Sequence, residues 1–250
     1  MNDVARDIWA RWRGTTRARI GLGRSGDALP TSALLDFQAA HGRARDAVHG
    51  VADFAAVAEQ LRPLPCLTLH SQAPDRAAYL RRPDLGRRLD DASVAMLKDH
   101  AGDWDIAFVV ADGLSARAVM AHAVPILQRC MAGLAGWRIA PIVLAGQARV
   151  ALGDDIATCL NAKAVAVLIG ERPGLSVADS LGVYITWAPH IGRVDSERNC
   201  ISNIHADGMS HDQAAATLLW LLREARRLSL SGIGLKLDPA DIAAHLPDAT

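Results

Sequence analysis

The segment AVAVLIG, residues 164–170, is apolar at every position. A strand with one wet face alternates apolar and polar residues, whereas a strand buried on both faces does not. This segment therefore demands a sheet covered on each side. DIAFVVAD (105–112), APIVLAG (140–146) and GVYITWAP (182–189) read as further strands. Helical sequence alternates with them. One helix is expected to start near Ser115, a short one to span Ala151–Asn161, and a long amphipathic one to span His211–Leu228. The last sets Ala214, Leu218, Leu221, Leu222 and Ala225 on one side. Strands alternating with helices imply an α/β fold: a mainly parallel sheet with helices on both faces.

The N-terminal third reads as mostly helical. Asp3–Arg13 carries Val4, Ile8 and Trp12 at a spacing of four, and Thr31 is placed to cap a helix from about Ser32 to Val48. A shorter helix fits Val51–Leu61. PDRAAYLRRPDLGRR, with Pro74, Pro83 and Gly86, reads as irregular and rich in arginine. The expected division is an N-terminal helical extension over residues 1–100 and one α/β domain over residues 101–250.

Composition narrows the function. The 250 residues are 50% hydrophobic, which excludes a disordered chain, and 27 basic residues balance 27 acidic ones. Zero net charge argues against a dedicated nucleic-acid binder. Only three of the basic residues are lysines (Lys98, Lys163 and Lys236). Cys66, Cys130, Cys159 and Cys200 lie far apart, as neither a zinc pattern nor a disulfide framework, so the reducing cytoplasm is the expected compartment. No signal peptide and no membrane-spanning run is read.

Four short patterns could carry chemistry. Gly21-Leu22-Gly23-Arg24-Ser25-Gly26 is a literal G-x-G-x-x-G, which in a dinucleotide fold turns over the pyrophosphate. It opens the alternative of a stand-alone NAD-binding oxidoreductase, although an arginine-rich segment precedes it and Pro30 separates it from the next helix. Gly170-Glu171-Arg172-Pro173-Gly174-Leu175 follows the most apolar strand, and ligands in open α/β sheets bind beyond the carboxyl ends of strands. Arg198-Asn199-Cys200-Ile201-Ser202-Asn203-Ile204-His205 reads as a polar loop that closes a pocket, with Ile201 and Ile204 as packing residues. Spacing alone does not make Cys200 and His205 a nucleophile and its base. Asn203-x-His205-x-x-Gly208 imitates a cobalt-ligating D-x-H-x-x-G, but Asn stands where an Asp would orient the imidazole. The scattered histidines form no H-E-x-x-H, so no protein-held metal is expected.

In order and separation GRSG, YLRRPDLGRRL, DGLS, GERPGL and SERNCISNIH, followed by a long C-terminal helix, resemble the small (light) subunit of ethanolamine ammonia-lyase. The resemblance runs from about Arg17 to about Gly234. It implies a Rossmann-like subunit that helps bind adenosylcobalamin, base-on, at the interface with a catalytic large subunit. The implied reaction converts ethanolamine to acetaldehyde and ammonia. The family's corrinoid contacts map onto Val150, Glu171 and Cys200, and no catalytic residue is expected in this chain. Val150 sits in Gly146-Gln147-Ala148-Arg149-Val150, where a compact Gly-Arg-Val is common in the family. Residues 1–100, including the Arg81–Arg88 segment, are expected to contact the large subunit. Some members carry a longer leader, associated with packing into a bacterial microcompartment; none is expected here.

Overall fold

A computed structural model describes residues 7–236. Its helices are α1 (Ala10–Arg13), α2 (Thr31–His49), α3 (Phe54–Gln60), α4 (Arg76–Arg81), α5 (Asp91–Lys98), α6 (Ala116–Gly133), α7 (Leu152–Leu160) and α8 (His211–Leu228). The strands are β1 (Cys66–His70), β2 (Ala107–Ala111), β3 (Ile142–Gly146), β4 (Ala164–Gly170), β5 (Leu181–Trp187) and β6 (Asn199–Ile204). They form one sheet in the order β1-β3-β2-β4-β5-β6.

Both faces of this sheet are covered, and β4 shows why its sequence has no polar position. Ala166 and Leu168 enter the core beneath α6 and α8, while Val165, Val167 and Ile169 enter the one beneath α5 and α7. In β2, Phe108 and Val110 face the first layer, and Ala107, Val109 and Ala111 face the second. Successive side chains point to opposite faces, so two cores require apolar residues in both registers.

The sheet is mixed rather than mainly parallel. The β1–β3, β3–β2 and β2–β4 pairings are parallel, but β5 runs antiparallel to β4, and β6 antiparallel to β5. A parallel return needs a crossover, usually a helix. The link 171–180 contains none, so the chain folds straight back.

Several elements depart from the sequence reading. CLTLH adds β1 at one edge, so the sheet draws a strand from before residue 101. The irregular arginine-rich stretch contains α4, started by Asp75, whose carboxylate accepts the Ala78 N–H at 2.7 Å. SERNCISNIH contains an edge strand instead of a pocket-closing loop: Ile201 and Ile204 turn inward while Cys200, Ser202 and Asn203 face out. In the first expected helix only Ala10–Arg13 is helical, and residues 3–6 lie outside the described residues. GLGRSG is a surface loop with positive φ at Gly21, Gly23 and Gly26. Among the described residues no strand precedes it, which removes the strand-to-helix turn that a dinucleotide site needs. No helix among the described residues is long and apolar enough to cross a membrane.

Candidate functional site

After β2 the chain passes to α6 on one face of the sheet, and after the neighbouring β3 to α7 on the other. Opposite exits leave a crevice beyond the carboxyl ends of the two strands. There lies a cleft of about 460 Å³ whose lining includes Tyr79, Leu114, Arg149, Val150, Glu171 and Tyr184. Val150 follows β3, Leu114 follows β2, and Glu171 follows β4.

The floor of the cleft is closed by backbone packed on backbone. Gly113, at φ +56°, lets the turn after β2 lie on the end of β4, where the Leu114 N–H donates to the Gly170 carbonyl at 2.9 Å. A Cβ on Gly170 would stand 2.1 Å from the Ser115 carbonyl oxygen. Ser115 caps α6 and donates its hydroxyl to the Ala178 carbonyl at 2.8 Å, which ties the 171–180 link to the helix.

Glu171 is half-buried. Its Oε2 accepts from the Ser180 hydroxyl and, at 3.4 Å, from the Asn203 N–H on β6. Gly182 leaves room for the carboxylate, since a Cβ there would meet Oε1 at 3.0 Å. Cys200 lies on the edge strand, paired in register with Tyr184 of the cleft wall. Val150 and Glu171 thus share one cleft, and Cys200 sits one strand beyond it. Lost solvation of the sulfur pushes the Cys200 thiol above its ordinary range against a hydrogen bond with Tyr184, and the nearby Glu171 charge adds to the rise. That is the opposite of an activated thiolate.

The Val150 loop is held by residues the sequence reading did not single out. Gln147 has φ 52°, a left-handed conformation costly for a residue with a side chain. Asp112, at the end of β2, offsets it: its two oxygens accept the Gln147 and Ala148 N–H groups at 3.0 Å each. Arg76 approaches the same carboxylate at 3.4 Å and donates to the Val48 carbonyl at 2.6 Å. Burial pushes the Asp112 carboxyl above its ordinary value, against the pull of those N–H groups and Arg76. Tyr79, fully buried, donates its hydroxyl to the Ala148 carbonyl at 3.0 Å. Arg149 stacks on that ring, its guanidinium carbon 4.2 Å from the centroid. The one local signal was an acid at the end of an apolar strand; its partners lie 35 residues away or more along the chain.

On the α7 face of the sheet Arg198 is buried with Asp154, at 2.6 and 2.9 Å, and also donates to the Thr186 hydroxyl at 2.8 Å. This pair joins the start of α7 to β5 and to the turn before β6. Among the described residues no group of three or more His, Cys, Asp or Glu is arranged to hold a metal ion.

The fold and cleft define a mixed α/β protein with an open recess beyond the ends of its central strands. Residues 6–236 match the family described as ethanolamine ammonia-lyase light chain (EutC). The ethanolamine ammonia-lyase small subunit of Pseudomonas aeruginosa (strain LESB58) is 53% identical over 248 residues, covering 96% of this chain and 90% of the relative. The protein of the same name from Pseudomonas putida (strain W619) is 54% identical over 242 residues, covering 94% and 89%. The chain belongs to the ethanolamine ammonia-lyase light chain family, and so to the subunits of a carbon–nitrogen lyase.

Proposed function

We propose that this chain is the small subunit of an adenosylcobalamin-dependent ethanolamine ammonia-lyase and that it holds one edge of the corrinoid against the large subunit. The observation that carries the reading is the meeting of Val150 and Glu171 in one cleft, with Cys200 on the adjoining strand. The chemistry of the cleft suits such a ligand. A corrinoid has a flat apolar face and a rim of amides; Tyr184, Leu114 and Val150 offer flat apolar contact, and Glu171 offers an acceptor. The cleft is smaller than a whole corrinoid, so a second chain must cover the remainder.

The bound cofactor supplies the radical through its cobalt–carbon bond; this chain supplies position and exclusion of water. None of its side chains moves a proton or a radical on ethanolamine. In this reading the described part of residues 101–250, joined by β1, forms a Rossmann-like corrinoid-binding unit. The large subunit meets residues 1–100, including the Arg81–Arg88 segment; Trp9, Trp12, Leu34, Leu35 and Phe37 stand exposed there. The complex works in the reducing cytoplasm, free or inside a bacterial microcompartment.

The test is co-expression with the large subunit, followed by adenosylcobalamin binding and ethanolamine deamination. Loss of a charged acceptor from a desolvated contact costs about 1.5–3 kcal/mol. Glu171→Ala should therefore raise the cofactor dissociation constant roughly 10- to 150-fold in an assembled complex. Cys200→Ser should be mild and Cys200→Trp severe. Unchanged affinity in Glu171→Ala, or turnover by the isolated chain with cofactor, defeats the assignment.

A further inference from the structure

Val150 separates two recesses. One is the cleft that holds Glu171. The other is a hollow of about 350 Å³ bounded chiefly by Pro83, Arg87, Arg149, Val150, Arg193 and Asp195. Arg149 and Val150 line both.

The charges in the hollow do not cancel. Arg193 pairs with Glu197 and donates its remaining N–H groups to the Trp187 and Ala188 carbonyls. Asp195 faces Arg198 at 3.8 Å. Arg82 is taken by Asp84 and Arg88 by Asp155, which leaves Arg87 without an acidic partner among the described residues. Arg149 has none either. Its backbone N–H donates to the Gly86 carbonyl at 2.8 Å, one guanidinium nitrogen donates to the Tyr79 carbonyl at 3.2 Å, and the guanidinium is stacked on the Tyr79 ring. Its Nε is shut away from solvent with no acceptor. Arg149 is thus a cation already fixed in place, so little side-chain entropy remains to be lost on binding. Gly86 makes this fit, since a Cβ there would stand 3.0 Å from both the Arg149 stem and the Tyr79 ring.

We propose that this hollow is a phosphate subsite, with Arg149 the principal and Arg87 the secondary contact, and that it takes the phosphodiester of the corrinoid's nucleotide tail. The assignment rests on the corrinoid reading above. A ligand spanning both recesses needs an amide-rimmed apolar body on the Glu171 side of Val150 and an anion on the other side. In cobalamin the phosphodiester is the anionic group of the tail, and Arg matches phosphate geometry with a planar fork.

The experiment uses the complex co-expressed with the large subunit and two probes. Hydroxocobalamin carries the nucleotide tail, and hydroxocobinamide lacks its phosphodiester. Dissociation constants come from equilibrium dialysis followed by absorbance. Arg149→Met should weaken hydroxocobalamin about 10- to 100-fold, the scale of a lost charge-assisted contact, and hydroxocobinamide less than about threefold. Arg149→Lys, which keeps the charge and loses the fork, should fall between, and Arg87→Gln should show the same selectivity at smaller size. Excess inorganic phosphate should compete with hydroxocobalamin in the wild type. Equal weakening of both probes would overturn the subsite and leave Arg149 as a support for the Val150 loop. If the wild type bound neither probe, the corrinoid reading would fall and the tail with it. Broadening of the inorganic phosphate ³¹P line would then decide the anion site alone: broadening lost in Arg149→Met assigns it to free phosphate, and no broadening removes it.

Discussion

Asp112→Asn should loosen the Val150 loop, and the cost follows from the contacts. The carboxylate serves the Gln147 and Ala148 N–H groups at 3.0 Å each and faces Arg76 at 3.4 Å. The amide oxygen of Asn can keep one of these N–H bonds. Its NH₂ then confronts the other N–H, donor against donor, and Arg76 loses its counter-charge while one of its nitrogens already has no partner. Breaking one side of a buried pair costs about 3–5 kcal/mol. With a urea slope near 3 kcal/mol per molar, the unfolding midpoint should fall by about 1 M or more. Far-UV circular dichroism of the purified chain in urea measures it. A midpoint shift below about 0.3 M at unchanged slope would refute the reasoning, because the loop would then be held by something other than Asp112.

Arg198→Met should cost about 3–5 kcal/mol by stranding Asp154 in the interior, and the double substitution Arg198→Met with Asp154→Leu should recover most of it; a double-mutant cycle in urea reads the coupling. Gly170→Ala should yield insoluble chain, because its Cβ would overlap the Ser115 carbonyl, and a soluble protein with wild-type midpoint would contradict the packing described. His122 and His211 meet at 2.8 Å between α6 and the start of α8, and burial first, then neighbouring positive charge, lowers both below their ordinary value of 6.5. Groups so depressed bind fewer protons folded than unfolded, so their stabilisation is complete above about pH 6.5 and is lost as pH falls through the lowered values. The urea midpoint should drop over that acid range, and His122→Gln should flatten the drop; an unchanged slope in the variant would dismiss the pair as its source.

The central fold was legible because burial on both faces leaves a continuous apolar run. β2 to β5 and α6 to α8 all carry that mark or an amphipathic stripe, and α8 spans His211–Leu228 as its sequence implies. The edges were not legible. CLTLH is too short and too half-exposed to show a period, and NCISNI hides its inward Ile201 and Ile204 among polar residues that a central strand would not tolerate. Strand direction was also hidden, because it depends on what the link between β4 and β5 lacks. In the cleft, Glu171 was marked by its place after the most apolar strand as well as by the family resemblance, and Val150 by the resemblance alone. Tyr79, Asp112 and Arg149 come together only when α4 folds against the end of β3, and no local pattern joins residues so far apart in the chain.

The two edges of the sheet also limit how this protein can meet others. An open edge offers a row of N–H and C=O groups on which a further strand can polymerise. Here the outer rim of β1 is closed at its carboxyl end: the His70 N–H donates to the Ser93 hydroxyl, and the His70 carbonyl accepts the Asp90 N–H. At the other rim, the Asn203 carbonyl is taken by Met209 and the Asn199 side chain is clasped by Gly232 and Leu235, while a slipped register between Leu181 and Val183 bends the β5–β6 ribbon. Among the described residues both rims are thus interrupted, which shortens the template open to fibril-like stacking. Association is thereby directed to side chains on loops and helices, where shape and charge can discriminate one neighbour from another.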